Sequence, residues 1–430
     1  MRLTNIGGAT AILEHDGKRM LFDPWLNDGI FHGAWYHYPP LEVSIEDLGR
    51  FDYVYISHVH EDHCAIGTIE RLNRDAEIIL IDREPNFVKK FLDNHGLAFK
   101  KIHFVKPYHR TAIAPALTVA MLEADPAHEA NYLIDSALAL DWDGFVLYNA
   151  NDCPPCEGAL AYLQRHYPKV NVALLPYAGG SGYPACFTNL SHDKKLAEKQ
   201  RIYKEGLRRF VDAVQALQPD YAMPFADQYV VGGSRSHLNR YLPHPPDGVV
   251  VVEALEKVEL DGRALLLNSG QSFDFSTRRK TPDEPYRRHS EEDREQYIKS
   301  RLADKRYDHE AFALDHRVSL GRLMQGARAR LWSAQKREDY FPSFTYYIDV
   351  ADRNQRFSIR LDQEKLAEES LTGRCEPPYL RVSAPSTLLA LLALGHVSWN
   401  IADAALFLDY ERVPNHYDPK LHASLNYLMI

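Results

Sequence analysis

The residues best suited to chemistry are Ser57-His58-Val59-His60-Glu61-Asp62-His63, which follow the apolar run Tyr53-Val54-Tyr55-Ile56. A β-branched and aromatic run that stops at a polar cluster reads as a buried strand ending in a loop. Four candidate metal ligands then fall within six residues. Imidazoles at i and i+2, a carboxylate and a third imidazole face one point only if the backbone curls around it. Such a loop can hold two metals, one on His58 and His60 and the other on Asp62 and His63. A solvated His-rich loop is the bland alternative.

The pattern His-x-His-x-Asp-His after a strand resembles the signature of the metallo-β-lactamase superfamily. The resemblance implies an α/β fold, a metallo-β-lactamase-like αββα sandwich. It also implies a ligand set: His58, His60 and His128 on one metal, Asp62, His63 and a late His on the other, and Asp152 between them. His128, in the loop after the strand ending near Leu122, has Asp125 and Glu129 as substitutes. His237 is taken as the late ligand, with His244 and His192 as rivals. Asp62 is also the candidate catalytic residue. Asp152 closes the strand Phe145-Val146-Leu147-Tyr148, where one carboxylate oxygen can serve each of two cations; capping the helix near Glu157 is its other reading. Asp23, just past the strand Lys18–Phe22, reads as a turn or capping residue, with support of the metal loop as the alternative.

The elements that must position these groups are legible along the chain. Asp16-Gly17 is a hairpin turn between Thr10–His15 and Lys18–Phe22. Strands at 77–82, 101–105 and 117–122 alternate with helices near 66–72 and 85–95, a layered α/β arrangement. Residues 27–40 are aromatic and turn-rich, and form either a cover over the site or a surface Ω-loop, with His32 and His37 unassigned. Residues 249–253 and 264–267 are expected to be strands that close the first domain. The expected organisation is a metal-binding catalytic domain over 1–276, a charged linker over 277–295, and a C-terminal α+β domain over 296–430 whose pattern weakly resembles a sterol-carrier fold. In the last part, helices are expected over 317–336 and 383–395 and from Ala402, with a hairpin at 344–361.

A closer likeness spans roughly residues 3–245. Asp152-Cys153, Leu174-Leu175-Pro176-Tyr177-Ala178-Gly179-Gly180-Ser181-Gly182-Tyr183-Pro184, Leu217-Gln218-Pro219 and Pro224-Phe225-Ala226 resemble successive blocks of the CMP-N-acetylneuraminate hydroxylase family, joined by an amphipathic helix over 193–217. The glycines of the second block let backbone N–H groups approach an anion, which makes Gly179, Gly180, Ser181 and Tyr183 the candidate substrate-binding residues. The family's hydroxylases also carry a Rieske iron–sulfur domain. None of Cys64, Cys153, Cys156, Cys186 or Cys375 has a histidine two or three positions later, so no Rieske cluster is expected in this chain. An oxidative reaction here then needs a separate electron-transfer protein. Cys153-Pro154-Pro155-Cys156 lacks a second Cys pair for structural zinc, which leaves a redox dithiol open.

Composition narrows the function classes. The 430 residues are 45% hydrophobic and 25% charged with a net charge of −9, which disfavours nucleic acid as a partner. No run approaches the ~20 apolar residues of a membrane span. The start lacks a signal-peptide pattern, and five cysteines fit a reduced, cytoplasmic setting. The His and Asp ligands suit two divalent ions, with iron favoured and zinc or manganese as alternatives. The reading is an iron-dependent hydroxylase (monooxygenase) of a nucleotide sugar or related small polar metabolite. The alternative is a zinc-dependent hydrolase of a phosphodiester, ester or amide bond.

Overall fold

The computed structural model describes residues 1–124, 134–315 and 317–430. Two sheets pack face to face. The first has eight strands in the order Arg279–Thr281, Ser272–Asp274, Arg2–Gly7, Thr10–His15, Lys18–Phe22, Tyr53–Tyr55, Glu77–Ile81 and Lys101–Val105. The second has six, in the order Tyr221–Pro224, Val172–Leu175, Phe145–Asn149, Ser136–Trp142, Leu117–Glu123 and Thr111–Ala114.

The period-two side-chain alternation of strands sorts residues into layers. Met20, Phe22, Tyr55 and Ile79 point between the sheets, where they meet Val119, Met121, Leu138, Leu147 and Leu174. Their neighbours Leu21, Val54, Ile78 and Leu80 face outward, onto Leu48, Val88 and Leu92. On the far side, Phe210, Ala213, Val214 and Leu217 of the helix His192–Leu217 cover Ala173, Leu175 and Ala222. Helices thus flank a two-sheet sandwich.

A further five-stranded sheet, in the order Leu366–Glu369, Gln355–Arg360, Thr345–Val350, Tyr379–Ser383 and Asp409–Val413, forms the C-terminal region. The helices Leu320–Glu338 and Ser386–Ala393 contribute Met324, Leu331, Leu388 and Leu392 to the same apolar cluster as this sheet. That cluster extends into Trp25, Phe31, Trp35, Tyr229 and Val231 of the first region. Among the described residues no helix is long and apolar enough to cross a membrane.

Three local expectations change. Val249–Glu256 is a helix, not a strand. The Asp247 carboxylate accepts the Val249 N–H, which starts the helix, and Val251 and Leu255, one turn apart, are its buried face. Tertiary packing overrides the β preference of the four valines. Residues 264–267 form no strand: they pack on the second sheet and pair with it through a single bridge between Ala222 and Ala264. The helix expected from Ala402 instead spans Trp399–Ala404, capped by Ser398, and the chain leaves it with Leu406 at φ 60. The segment 277–295 is tied to the first region as well. Gln271 donates to the carbonyls of Pro282 and Glu284, and Asn268 to that of Pro285.

Candidate metal centre

The strands Lys18–Phe22 and Tyr53–Tyr55 run parallel, as do Phe145–Asn149, Val172–Leu175 and Tyr221–Pro224. Their carboxyl ends therefore gather Asp23, the 57–63 loop, Asp152, the glycine-rich loop and Asp227. Polar groups in a layered α/β protein collect at such ends. Ser136–Trp142 is antiparallel to Phe145–Asn149, with Leu138 opposite Asn149, so its beginning reaches the same place and brings Asp135 with it.

The 57–63 loop curls because His63 and Cys64 both donate backbone hydrogen bonds to the His60 carbonyl. Asp23, fully buried and at φ 42, fixes its start. Asp23 Oδ1 accepts from the Ser57 N–H at 2.7 Å, and Oδ2 accepts from Ser57 Oγ at 2.9 Å and from His63 Nδ1 at 3.0 Å. Of the two readings of Asp23, the structure shows the supporting one. Because the Ser57 hydroxyl hydrogen goes to Asp23, its oxygen accepts from His58 Nδ1, 2.9 Å away. Both rings thereby hold a proton on Nδ1, so in the neutral form that a metal requires Nε2 of His58 and of His63 is the nitrogen directed inward.

Two groups of ligand-type atoms result. One is His58, His63 and Asp152; the other is His58, His60 and Asp135; within each, the atoms lie within 4.8 Å of one another. His58 Nε2 is 2.9 Å from His60 Nδ1 and 3.7 Å from Asp135 Oδ1. His63 Nε2 lies 3.2 Å from Asp152 Oδ2 and 3.4 Å from Asp62 Oδ2, within ion-pair distance of both. A buried imidazole nitrogen aimed at two carboxylates is an arrangement that a proton on the ring or a cation between them would satisfy. The clusters are consistent with binuclear metal binding.

Charge balance agrees. Burial drives the pKa of His58 well down and lowers that of His60, so both are neutral donors. Burial also opposes charge on His63, but Asp152, Asp62 and Asp23 outweigh it and hold its pKa well above the usual value in the metal-free chain. Burial likewise opposes charge on Asp62, and His63 and His60 outweigh it, which leaves the carboxylate below its usual range.

Five residues expected from the sequence meet here: His58, His60, Asp62, His63 and Asp152. His128 lies outside the described residues, as do Asp125 and Glu129. His237 is not brought to either cluster. It is exposed on the turn Gly233–Tyr241, with Nδ1 on the Ser234 carbonyl. Asn239 pins that turn by bonding both the N–H and the carbonyl of Val231, which sends Leu238 and Asn239 inward and His237 outward. His192 is exposed against Tyr241 Oη. His244 is buried, but its Nε2 donates to the Gly179 carbonyl at 2.9 Å.

In the glycine-rich loop the Ser181 hydroxyl closes on Tyr183 backbone, and the Tyr183 hydroxyl is held by Glu198 and Asn415. A Cβ on Gly182 would come within 2.6 Å of Asp403 Oδ1, and one on Gly180 within 3.2 Å of Tyr229 Oη. Residues 27–40 are no surface loop either. Trp35–Tyr36 pairs with Val230–Val231, and the Phe31 N–H donates to Glu61 in the metal loop.

Sequence reasoning passed over Asp135, Asn400, whose Oδ1 lies 3.0 Å from His60 Nε2, and Asp227. The Asp227 carboxylate accepts the N–H groups of Tyr177 and Ala178. Burial first, and Asp152 second, push its pKa up to about 7. A folded-state pKa above the unfolded value means the native state holds the proton longer, so this residue's contribution falls as pH rises from about 4 to about 7. In metal-free protein the stability advantage of Asp227→Asn over wild type should therefore widen between about pH 5 and about pH 8, by the order of 2 kcal/mol. Chemical denaturation at both pH values checks it, and a constant gap would contradict the assignment.

Comparison with known proteins bears on the same region. Residues 18–223 match the beta-lactamase superfamily domain. The chain is 26% identical over 288 residues to a Rieske 2Fe-2S iron-sulfur protein of Mycolicibacterium smegmatis, covering 64% of this chain and 54% of that protein. It is 29% identical over 239 residues to the cytidine monophosphate-N-acetylneuraminic acid hydroxylase of Danio rerio, covering 53% and 38%. The chain thus spans about half, or less, of the length of these curated relatives. Among solved structures, an isothiocyanate hydrolase from Delia radicum gut bacteria aligns with TM-score 0.45 at 17% identity, over 64% of this chain and 99% of that one. CmlA, a diiron beta-hydroxylase from Streptomyces venezuelae, aligns with TM-score 0.42 at 14% identity, over 64% and 54%. With the matched family, the sandwich topology and the ligand loop in agreement, the chain carries a metallo-β-lactamase superfamily domain, distantly similar to the corresponding region of the CMP-N-acetylneuraminate hydroxylases and the Rieske-containing proteins.

Proposed function

We propose that the chain is a binuclear-metal enzyme, an iron-dependent hydroxylase of a nucleotide sugar or related small polar metabolite, with electrons supplied by a separate protein. The observation that carries this reading is the donor set of the second cluster. His58, His60 and Asp135 supply two imidazoles and one carboxylate, the donor combination of non-haem iron oxygenases. The other cluster adds His63 with the carboxylates of Asp152 and Asp62, and neither cluster holds a thiolate. The hydroxylase activity for which the Danio rerio relative is named supports the same choice.

When bound, a pair of irons supplies oxidative chemistry with dioxygen, and a pair of zincs supplies Lewis-acid chemistry for hydrolysis. The chain's own residues hold the ligands in register, through Asp23 and Ser57, and keep Asp62 ionised for its ligand and catalytic roles. Asp152 has about a third of its side chain exposed and stands at the open side of the centre. Tyr229, stacked on Trp35, keeps its phenolic proton because burial and then Asp62 drive its pKa far up, so it is a hydrogen-bond donor beside the centre. We assign the substrate wall to Gly179, Gly180, Ser181 and Tyr183. Gly179 and Gly180 offer backbone, while Ser181 and Tyr183, already bonded within the protein, shape the loop.

Metal analysis of protein purified without added metals tests the reading. Close to two irons per chain, with oxygen consumed on chemical reduction, is the expected result. Two zincs and no iron would overturn it in favour of the hydrolase.

A further inference from the structure

We infer that the helix Trp399–Ala404, from the C-terminal region, is a working part of the metal centre, and that its Asn400 sets the ring tautomer of His60. The inference rests on the metal reading above. His60 Nδ1 lies 2.9 Å from His58 Nε2, on the side where the ligand atoms converge, and Nε2 lies 3.0 Å from Asn400 Oδ1. An amide oxygen only accepts, so Nε2 carries the proton and Nδ1 presents a lone pair to the centre. The opposite amide orientation would place a proton on Nδ1, facing His58, and bar a cation from that position. Asn400 thus does for His60 what Ser57 does for His58 and Asp23 for His63. Each of the three rings has one nitrogen on a protein partner and the other turned to the centre, where the His58 Nε2–His60 Nδ1 hydrogen bond of the metal-free chain must give way to a metal.

The helix is held firmly enough to do this. Ser398 Oγ caps it by accepting the Ile401 N–H at 3.0 Å, and the Asn400 N–H donates to Asn426 Oδ1 at 3.1 Å. The Trp399 indole N–H donates to the Leu428 carbonyl at 2.9 Å. At the other end the Ala404 carbonyl accepts the Trp35 indole N–H, also at 2.9 Å, and Trp35 stacks on Tyr229 with ring centroids 3.3 Å apart. Asp403, one turn beyond Asn400, lies against Gly182 of the glycine-rich loop. One short helix therefore abuts both the metal loop and the candidate substrate wall. Asn400 is a positioning residue whose loss disturbs a ligand 340 positions away.

Two measurements test this. On metal-free protein, nitrogen-15 NMR of the imidazoles should show His60 with its proton on Nε2, and Asn400→Leu should lose that preference. In cobalt(II) titrations followed by absorbance, Asn400→Leu should lose about 10–100-fold in affinity at one of two sites, and Asn400→Asp, which keeps an acceptor, should stay within a few-fold of wild type. Thermal unfolding of the metal-free variants controls for folding, and Asn400→Ala carries the same expectation should the leucine variant not fold. Unchanged cobalt binding in the leucine or alanine variant, or an unchanged His60 tautomer, would overturn the inference. A wild-type chain that takes up no cobalt would overturn the metal reading instead, and the tautomer measurement would then decide the Asn400 contact alone.

Discussion

His58→Ala should empty the metal position that His58 serves and weaken the other, because His58 stands in both clusters of ligand atoms but its one inward nitrogen can serve a single ion. Outer-sphere partners cost about 10–100-fold in metal affinity when removed, so loss of a direct donor should exceed about 100-fold at the ion it serves. The metal-free chain should still fold. His58 is buried and neutral, and its Nδ1 contact is to a Ser57 hydroxyl that remains anchored to Asp23. The two states separate cleanly in a thermal scan. At a metal concentration about 1,000 times the dissociation constant, wild type should gain roughly 4 kcal/mol per site over its metal-free form, and His58→Ala should lose the share of the ion that His58 serves. Elemental analysis of the purified variant gives the second readout. Full metal occupancy with an unchanged scan would mean that the clusters around His58 are not the binding site.

The sequence makes the ligand loop plain because a metal site on one short loop is a local pattern: the strand ends at Ile56, and the ligands follow at fixed offsets. Asp152 is legible for the same reason, as a carboxylate just past a strand. Asp135 is not, because it precedes its strand. Only the antiparallel register that sets Leu138 opposite Asn149 turns the beginning of Ser136–Trp142 toward the ligand loop. Asn400 has no local signal, since an asparagine in the first turn of a helix is ordinary and its partner is 340 positions away. His237 shows the opposite failure. Its neighbours Gly232, Gly233 and Ser234 look like a loop at a site, but the inward side chain of that turn is Asn239. The valine run at 249–252 misleads because its β preference is real but weak beside the burial of Val251 and Leu255 against the outer face of the sandwich.

Asp23→Ala should be the most damaging substitution that touches no ligand position directly. The carboxylate accepts the Ser57 backbone N–H, and it also takes the Ser57 hydroxyl and His63 Nδ1, all in a fully buried setting. Alanine leaves those donors without their acceptor in the interior, at about 1–3 kcal/mol for each unsatisfied group. The expected loss of stability is therefore roughly 3–5 kcal/mol, at the upper end for a single substitution. Asp23→Asn separates the two functions of the residue. Its amide oxygen can still accept from Ser57, so most of the stability should return. The amide nitrogen, however, donates where His63 Nδ1–H needs an acceptor, which pushes the His63 proton toward Nε2, the nitrogen that must stay free for a metal. The asparagine variant should accordingly fold with a loss of about 1–2 kcal/mol yet bind metal about 10–100-fold more weakly. Urea unfolding of the metal-free variants measures the first effect and competition with a chelator of known affinity the second. If Asp23→Asn held metal as tightly as wild type, the tautomer of His63 would not be what Asp23 controls.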